Sequence, residues 1–285
     1  VRVGSSVSPS ATCVFGVPQG SVLGPILFTL YVAPVANVIS KFSIRHHQYA
    51  DDTQLYIALQ HVDADTRNLT LCTEAVRRWF LLNGLCLNPK KSEVIALGTS
   101  ASTKPLEDFK TVNIAGADIP VTDTLKSLGV TLDSQLTFNQ HVNGIFKSSY
   151  FHLKAMRHVR SCLPSDLLQT VACSVVSAKL DYCNSLLYGT SKANIAKLQR
   201  VQNSMARLVT GSRKFDHITP ALKKLHWLPI SSRINYKIAV LTFKILSTGE
   251  PAYLSSSLQR YQPTRTLRSA VYNRLAVPDI RDFRS

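Results

Sequence analysis

The stretch IRHHQYADDTQLYIAL, residues 44–59, decides how the first part of the chain folds. From Leu55 to Leu59 every second residue is aliphatic, which is the period-2 pattern of a half-buried strand. Asp is rare in strands and common in turns, so Asp51 and Asp52 are predicted at the tip of a β-hairpin. Mg²⁺ binds proteins through one or two carboxylates together with substrate phosphates, so such a tip suits that ion. The alternative is a solvated acidic turn.

A glycine-rich segment, FGVPQGSVLGPILF, precedes this hairpin at residues 15–28. Gly16, Gly20 and Gly24 recur every fourth residue, and glycine is used where backbone adopts unusual dihedrals or approaches a ligand closely. Gln19 carries an amide that can both donate and accept hydrogen bonds. The segment therefore indicates a shaped loop, which leads into an apolar helix-like run.

Together, GVPQGSVLGPILF and the later YADD resemble motifs B and C of the reverse transcriptase of a non-LTR (LINE-type) retrotransposon. LNPKKSE, residues 87–93, resembles motif D, and SLGVTLD, residues 127–133, resembles motif E, the hairpin that grips the primer. The four motifs occur in the family's order. The resemblance covers residues 10–138 well and extends weakly into the helical region that follows.

The resemblance implies roles for particular residues. Asp51 is the principal metal ligand and Asp52 an auxiliary one, and both are catalytic in a site that holds two Mg²⁺ ions. Nucleotide or primer binding is implied for Gln19, Gly20, Tyr49, Ala50, Lys91, Leu128 and Gly129. Each of these has a plainer alternative: a structural loop, a strand aromatic, a solvated lysine or an ordinary hairpin. The implied partners are an RNA template, a DNA primer and deoxynucleoside triphosphates.

One departure from the family pattern concerns motif A, whose strand supplies another metal-binding Asp before motif B. Fifteen residues precede Gly16, and none of them is acidic. We therefore expect this chain to carry half of a catalytic centre, and we expect the fingers region to be missing. The predicted function is a fragment of an RNA-directed DNA polymerase, performing two-metal nucleotidyl transfer in the full-length protein. The alternative is an inactive transposon-derived remnant that retains only nucleic-acid binding.

The charge distribution favours a nucleic-acid partner. Net charge is +16, yet residues 1–138 hold 11 Lys/Arg and 11 Asp/Glu, whereas residues 139–285 hold 22 and 6. A basic half of this kind is the electrostatic footprint of a phosphate-binding surface. The alternative is a solvated helical surface. Six cysteines without C-x-x-C or zinc-ligand spacing predict reduced, mostly buried thiols in an intracellular protein, nuclear or cytoplasmic and not secreted.

Other function classes are disfavoured. The uncharged run from Val3 to Ser40 is interrupted by prolines and is not expected to span a membrane. The sequence contains neither the G-x-S-x-G elbow of hydrolases nor the P-loop of nucleotide triphosphatases.

The predicted class is α+β, because helix and strand patterns mix without regular βαβ alternation. A partial polymerase palm is predicted for residues 1–138 and a basic, all-helical, thumb-like module for residues 139–285. Strands are predicted over 3–14, 44–59, 92–98, 111–121 and 125–132, with turns at the YADD tip and at 115–116. Helices are predicted over 26–40, bent or broken at Pro34, and over 66–83, 140–160, 165–180 and 231–247, with another around 195–208.

Overall fold

The computed structural model describes residues 2–9, 16–17, 20–99, 110–261 and 274–277. The chain divides between Leu125 and Lys126 into two compact units. Helices and strands occur together without a regular βαβ order, which confirms the α+β class. No described helix is both long and apolar enough to cross a membrane.

The first unit contains β1 (Arg2–Val3), β2 (Ser6–Val7), α1 (Gly24–Val32), α2 (Val35–Ser40), β3 (Arg45–Tyr49), β4 (Asp52–Tyr56), α3 (Val62–Leu82), β5 (Val94–Ile95), β6 (Thr111–Ile114) and β7 (Ala117–Thr122). Strands β3 and β4 form an antiparallel hairpin. A separate sheet has the order β5-β7-β6, with β5 parallel and β6 antiparallel to β7.

Helix α3 holds the first unit together because it contributes to both apolar clusters. Cys72, Val76 and Phe80 pack with the residues of α2 and with the inner face of the hairpin. Leu69 packs against the three-stranded sheet. The helix begins four residues earlier than the predicted Thr66, because the Asp65 carboxylate accepts hydrogen bonds from the backbone N–H groups of His61 and Gln60. These bonds lower the pKa of Asp65.

The second unit begins within the hairpin of β8 (Thr124–Ser127) and β9 (Val130–Asp133) and is otherwise mainly helical. Its α-helices are α4 (Asn139–Val159), α5 (Ser165–Ala172), α6 (Ala178–Asp181), α7 (Lys192–Thr210), α8 (Ile218–Lys224), α9 (Ile230–Thr248) and α10 (Ala252–Ser255), and a π-helical segment, Cys173–Ser177, joins α5 to α6. One apolar cluster runs through α4, α7 and α9.

Two side-chain amides of α7 fix the start of α9. The fully buried Gln202 donates from Nε2 to the Leu228 carbonyl over 2.8 Å, and Gln199 Oε1 accepts from the Ile230 N–H over 2.9 Å. Buried polar groups need such partners, since an unpaired one costs free energy. These bonds set the position of α9 relative to α7.

Several element predictions need correction. The predicted strand 3–14 is wrong over its described part, because Gly4 turns the chain with φ +60 and pairs β1 with β2. The strand predicted over 92–98 is only two residues long, and the strand predicted over 125–132 is a hairpin. The helix predicted over 26–40 breaks at Ala33–Pro34, as its proline suggested.

The cysteines also depart from the expectation of mostly buried thiols. Among those described, Cys72 is buried, whereas Cys86 and Cys162 are exposed. Burial raises the pKa of the Cys72 thiol to about 11.

Candidate functional site

The YADD residues lie at the turn of the β3–β4 hairpin, as the sequence predicted. Tyr49 pairs with Asp52, which leaves Ala50 and Asp51 as the two turn residues. Asp52 is thus the first residue of β4 and does not share the turn itself. Ala50 has φ +53, a left-handed conformation that is strained for a residue with a Cβ atom. The Gln48 side chain donates from Nε2 to the Ala50 carbonyl at 3.4 Å.

The hairpin has two distinct faces, because side chains alternate along each strand. Leu55 and Ile57 pack on the inner side with α2 and α3. The outer side is exposed and includes Tyr49, 65% of whose surface is accessible. His46 is half-buried and His47 exposed, so the neighbouring histidines lie on opposite faces.

Both carboxylates of the tip are exposed to solvent. The ion pairs found within the described residues are Arg77–Glu74 and Arg233–Asp181, so neither Asp51 nor Asp52 is paired there. Lys91 is the exposed last residue of the short 3₁₀ helix Pro89–Lys91 and is not in either of these ion pairs. In the described parts of the chain, no three His, Cys, Asp or Glu side chains converge as a metal site.

The glycine-rich segment is described from Gly20 onward and at residues 16–17, so Gln19 lies outside the described residues. Gly20 has φ +89, a conformation that favours glycine, and a Cβ there would meet no other atom within 4 Å. At Gly24, which has no positive φ, a Cβ would approach Ser21 Oγ to 2.6 Å, so the serine side chain would have to move. The loop is therefore shaped by its glycines, as predicted.

The motif E residues form the turn of the β8–β9 hairpin. Leu128 has φ +45 and Gly129 has φ +83. The Tyr182 hydroxyl donates to the Leu128 carbonyl over 2.5 Å, and a Cβ on Gly129 would lie 3.3 Å from the Tyr182 ring. His141 Nδ1 accepts a hydrogen bond from the Thr131 N–H of β9 over 3.3 Å. Burial lowers the pKa of His141, so its neutral form is favoured.

Tyr182 and His141 were missed by the sequence reasoning. Tyr182 is 54 positions from its partner Leu128, and no local pattern marks so distant a hydrogen bond. The predicted site residues thus form a cluster at the YADD turn and a pair at the motif E turn. Gly20 and Lys91 belong to other segments of the first unit.

Comparisons with known proteins agree with the motifs. Residues 5–132 match the family model described as "Reverse transcriptase (RNA-dependent DNA polymerase)". The chain is 28% identical over 280 residues to the "Probable RNA-directed DNA polymerase from transposon X-element" of Drosophila melanogaster, which covers 94% of this chain and 29% of the relative. The chain is also 28% identical over 220 residues to the "RNA-directed DNA polymerase from mobile element jockey" of Drosophila melanogaster. This match covers 73% of this chain and 23% of the relative.

These matches confirm the predicted resemblance to reverse transcriptases of non-LTR retrotransposons. A further relative, the "Probable RNA-directed DNA polymerase from transposon BS" of Drosophila melanogaster, is 28% identical over 74% of this chain and 24% of its own length. The chain spans less than a third of the length of these relatives. No solved structure matches it.

Proposed function

We propose that this chain is the part of an RNA-directed DNA polymerase that carries the YADD carboxylates and the basic region after the palm. The observation that carries the proposal is the position of Asp51 in an exposed two-residue turn, with Asp52 directly after it. A turn of this kind brings carboxylate oxygens to solvent, where metal ions and phosphates have access. The first unit, with the hairpin up to residue 138, is then part of a palm, and the helices after it are thumb-like.

Mg²⁺ is the cofactor that this donor set suits, because carboxylate oxygens are the ligands it prefers. Two such ions activate a primer 3′-hydroxyl and stabilise the leaving pyrophosphate in two-metal phosphoryl transfer. Asp51 and Asp52 would hold part of this pair, with Asp51 the principal ligand. The described residues bring no third ligand to them, so we assign the remaining carboxylate to the motif A strand of a longer polypeptide.

The other site residues would hold the primer and the nucleotide in position. Tyr49 and Ala50 would face the primer end, where the small Ala50 side chain allows a sugar to approach. Gln19 and Gly20 would line the nucleotide pocket, and Lys91 would lie near the triphosphate, where a cation offsets charge on the leaving group.

At the second hairpin, the turn of Leu128 and Gly129 would contact the primer through its backbone. The Tyr182 hydroxyl supports this role, because it fixes the Leu128 carbonyl and with it the orientation of the turn.

The second unit would bind the RNA template and DNA primer through charge. Residues 126–285 hold 23 Lys/Arg and 7 Asp/Glu. On α4, the exposed Lys147 and Lys154 lie seven residues apart, about 100–140° around the helix from the buried Val142 and Leu153. Two helical turns separate them, so both lysines can contact one nucleic-acid strand. Binding that neutralises phosphates releases counterions, and affinity should therefore fall steeply with added salt.

The test is primer extension on an RNA template with Mg²⁺ and deoxynucleotides. The 285-residue chain alone should extend the primer negligibly, because the repulsion between two divalent ions is under-compensated by two carboxylates. A longer polypeptide that includes the motif A strand should be active, and Asp51→Asn in it should reduce extension to background. Asp63→Asn, which changes an exposed Asp in the first turn of α3, is the matched control and should leave activity unchanged.

Two outcomes would argue against the proposal. In the first, the chain alone extends the primer robustly and still does so with Asp51→Asn. That result would show that Asp51 is not needed for extension. Salt-dependent binding without extension in the longer polypeptide would support the alternative, a remnant that only binds nucleic acid.

A further inference from the structure

Helix α9 has a buried face and, on the opposite side, a row of exposed aromatic side chains. Ile230 and Ile234 pack in the apolar core of the second unit, and Ile245, further along the helix, is also buried. Tyr236 and Phe243 lie on the other side of the helix, with 64% and 73% of their surfaces exposed. At 100° per residue, these two rings point almost directly away from the buried isoleucines. Core packing therefore does not explain them.

The spacing of the rings is regular. Tyr236 and Phe243 are seven residues apart, which is two helical turns, or about 10.5 Å along the axis, with a drift of only about 20° around it. Each ring is followed directly by an exposed lysine, Lys237 or Lys244. The helix thus presents a row of aromatic rings and, about 100° further round its axis, a row of lysines on long side chains. We call these four residues the aromatic–lysine ridge. The Lys237 ammonium also interacts electrostatically with the Asp181 carboxylate of α6.

The charge of the ridge distinguishes it from an ordinary protein-docking face. Helix α9 contains no Asp or Glu, and the unit that carries it has 23 Lys/Arg against 7 Asp/Glu. Flat rings stack on nucleobases regardless of sequence, and lysines beside them neutralise the phosphates of the same strand. The combination matches a chain of bases and phosphates better than it matches an apolar protein surface.

We propose that the aromatic–lysine ridge binds single-stranded nucleic acid, with bases stacked on Tyr236 and Phe243 and phosphates contacting Lys237 and Lys244. This inference rests on the proposed function and specifies one contact surface for its template or primer. Single strands are the expected ligand because the faces of their bases are free to stack on a protein ring, whereas a duplex covers them. The ridge would therefore act on unpaired template or on a displaced strand.

The first test compares binding of the 285-residue chain to an oligothymidylate and to a blunt duplex. Tyr236→Leu and Phe243→Leu keep apolar bulk but remove the ring, and each should weaken single-strand binding about tenfold. Duplex binding should be unchanged. Tyr188→Leu removes an equally exposed ring elsewhere in the second unit, 70% accessible, and should have no effect on either ligand. Circular dichroism melting checks that each variant is folded.

The second test separates stacking from charge. Lys237→Gln and Lys244→Gln should each lower the slope of log affinity against log salt by about 0.7, the value for one phosphate contact on a single strand. Lys192→Gln removes the same charge from the exposed start of α7 and should leave the slope unaltered. Tyr236→Trp should retain affinity, and its added indole fluorescence should be quenched by the oligothymidylate beyond the quenching seen in the wild-type chain.

The outcomes distinguish this inference from the function on which it rests. If the wild-type chain binds with steep salt dependence but the leucine variants bind oligothymidylate normally, the ridge proposal is wrong and the proposed function stands. Equal loss of duplex and single-strand binding would also overturn it, as would a dimer in sedimentation that the leucine variants dissociate. If the wild-type chain binds no nucleic acid, both proposals fail.

Discussion

The β3–β4 and β8–β9 hairpins both have a turn with strained backbone, and they differ in what supports that turn. Each places a residue with a Cβ atom in the left-handed region at its turn, Ala50 in the first and Leu128 in the second. The second turn is braced, because Tyr182 donates to the Leu128 carbonyl and Gly129 follows with φ +83. At the first turn, where Tyr49 pairs with Asp52, the side-chain bond to the turn within the described residues is the long one from Gln48 of the same strand.

The difference lies in which groups each turn fixes. The carboxylates of the YADD turn are exposed, so this turn presents its side chains to solvent. The motif E turn has its carbonyl fixed by a side chain from another element, so it is arranged to hold backbone in one orientation. A strained backbone persists only where surrounding structure or function maintains it. Substitutions at the two hairpins should therefore differ in their effects on stability, according to the brace, the strain and the burial at each.

The largest effect is expected at Gly129. Gly129→Ala places a Cβ at positive φ and 3.3 Å from the Tyr182 ring, and should destabilise the second unit by about 1–2 kcal/mol. Urea unfolding followed through Trp227, in a Trp79→Phe background, measures that unit alone. Gly144→Ala is the matched control within α4, where a Cβ meets no other atom. It should stabilise by about 0.5–1 kcal/mol, because alanine favours a helix over glycine. Equal changes in the free energy of unfolding for Gly129→Ala and Gly144→Ala would show that the positive φ and the close Tyr182 ring do not require glycine at position 129.

Tyr182→Phe tests the brace itself. The change removes the hydroxyl that donates to Leu128 and should cost about 1 kcal/mol, the net value of one hydrogen bond. The same Trp227 measurement applies. In an active longer polypeptide, the looser motif E turn should also raise KM for the primer. Tyr188→Phe, at another exposed tyrosine, should change neither quantity. A Tyr182→Phe variant as stable as the wild type would mean that water replaces the bond at no cost.

Thr53→Val should increase stability, which is the opposite of the usual result for a buried position. Thr53 Oγ1 is buried on the inner side of the first hairpin and has no hydrogen-bond partner among the described residues. An unsatisfied buried hydroxyl is costly, so replacing it with a methyl group should stabilise the first unit by about 1 kcal/mol. Thr122→Val is the control, because the Thr122 hydroxyl donates to the Val94 carbonyl. That change should destabilise, and Trp79 fluorescence in a Trp227→Phe background reports on both.

The sequence predicted local features well and long-range ones poorly. The YADD hairpin, the turn at Ala115–Gly116 and the long helices followed from period and turn chemistry, which act over a few residues. The start of α3 was misplaced because it depends on the Asp65 side chain and not on apolar spacing. Tyr182 was not predicted because nothing near it in sequence indicates its contact with Leu128.

The site itself was predicted through motif resemblance more than through pattern. Alternation and turn preference placed Asp51 and Asp52 at a hairpin, and the structure separates them into a turn residue and a strand residue. The assignment of Lys91 and Gln19 depends on the resemblance alone. Lys91 has no ion pair with the hairpin carboxylates in the described part of the chain, and Gln19 lies outside that part.

The free energy of unfolding of the second unit should vary with pH because of His141. Burial lowers its pKa in the folded state, so below about pH 6.5 the unfolded chain binds a proton that the folded one does not. Stability should therefore fall as pH decreases from about 6.5 towards the folded pKa. His141→Asn keeps an acceptor for the Thr131 N–H but does not titrate, so the variant should lose this part of the pH dependence. Urea midpoints from pH 7.5 to 5 measure the difference, and identical slopes would show that His141 does not titrate on unfolding.

The smallest effect is expected at Ala50, where relief of strain and loss of chain entropy nearly cancel. Ala50→Gly removes the left-handed penalty of about 1 kcal/mol but makes the unfolded chain more flexible, which costs about 0.5–1 kcal/mol. We expect stability within about 0.5 kcal/mol of wild type. Ala58→Gly, at an exposed position without positive φ, bears only the entropic cost and should be destabilised relative to Ala50→Gly. In an active polypeptide, Ala50→Gly should also lower kcat, because a turn freed to sample other conformations holds Asp51 less firmly. A stable Ala50→Gly variant with full activity would show that the strain at this turn has no role in positioning the carboxylate.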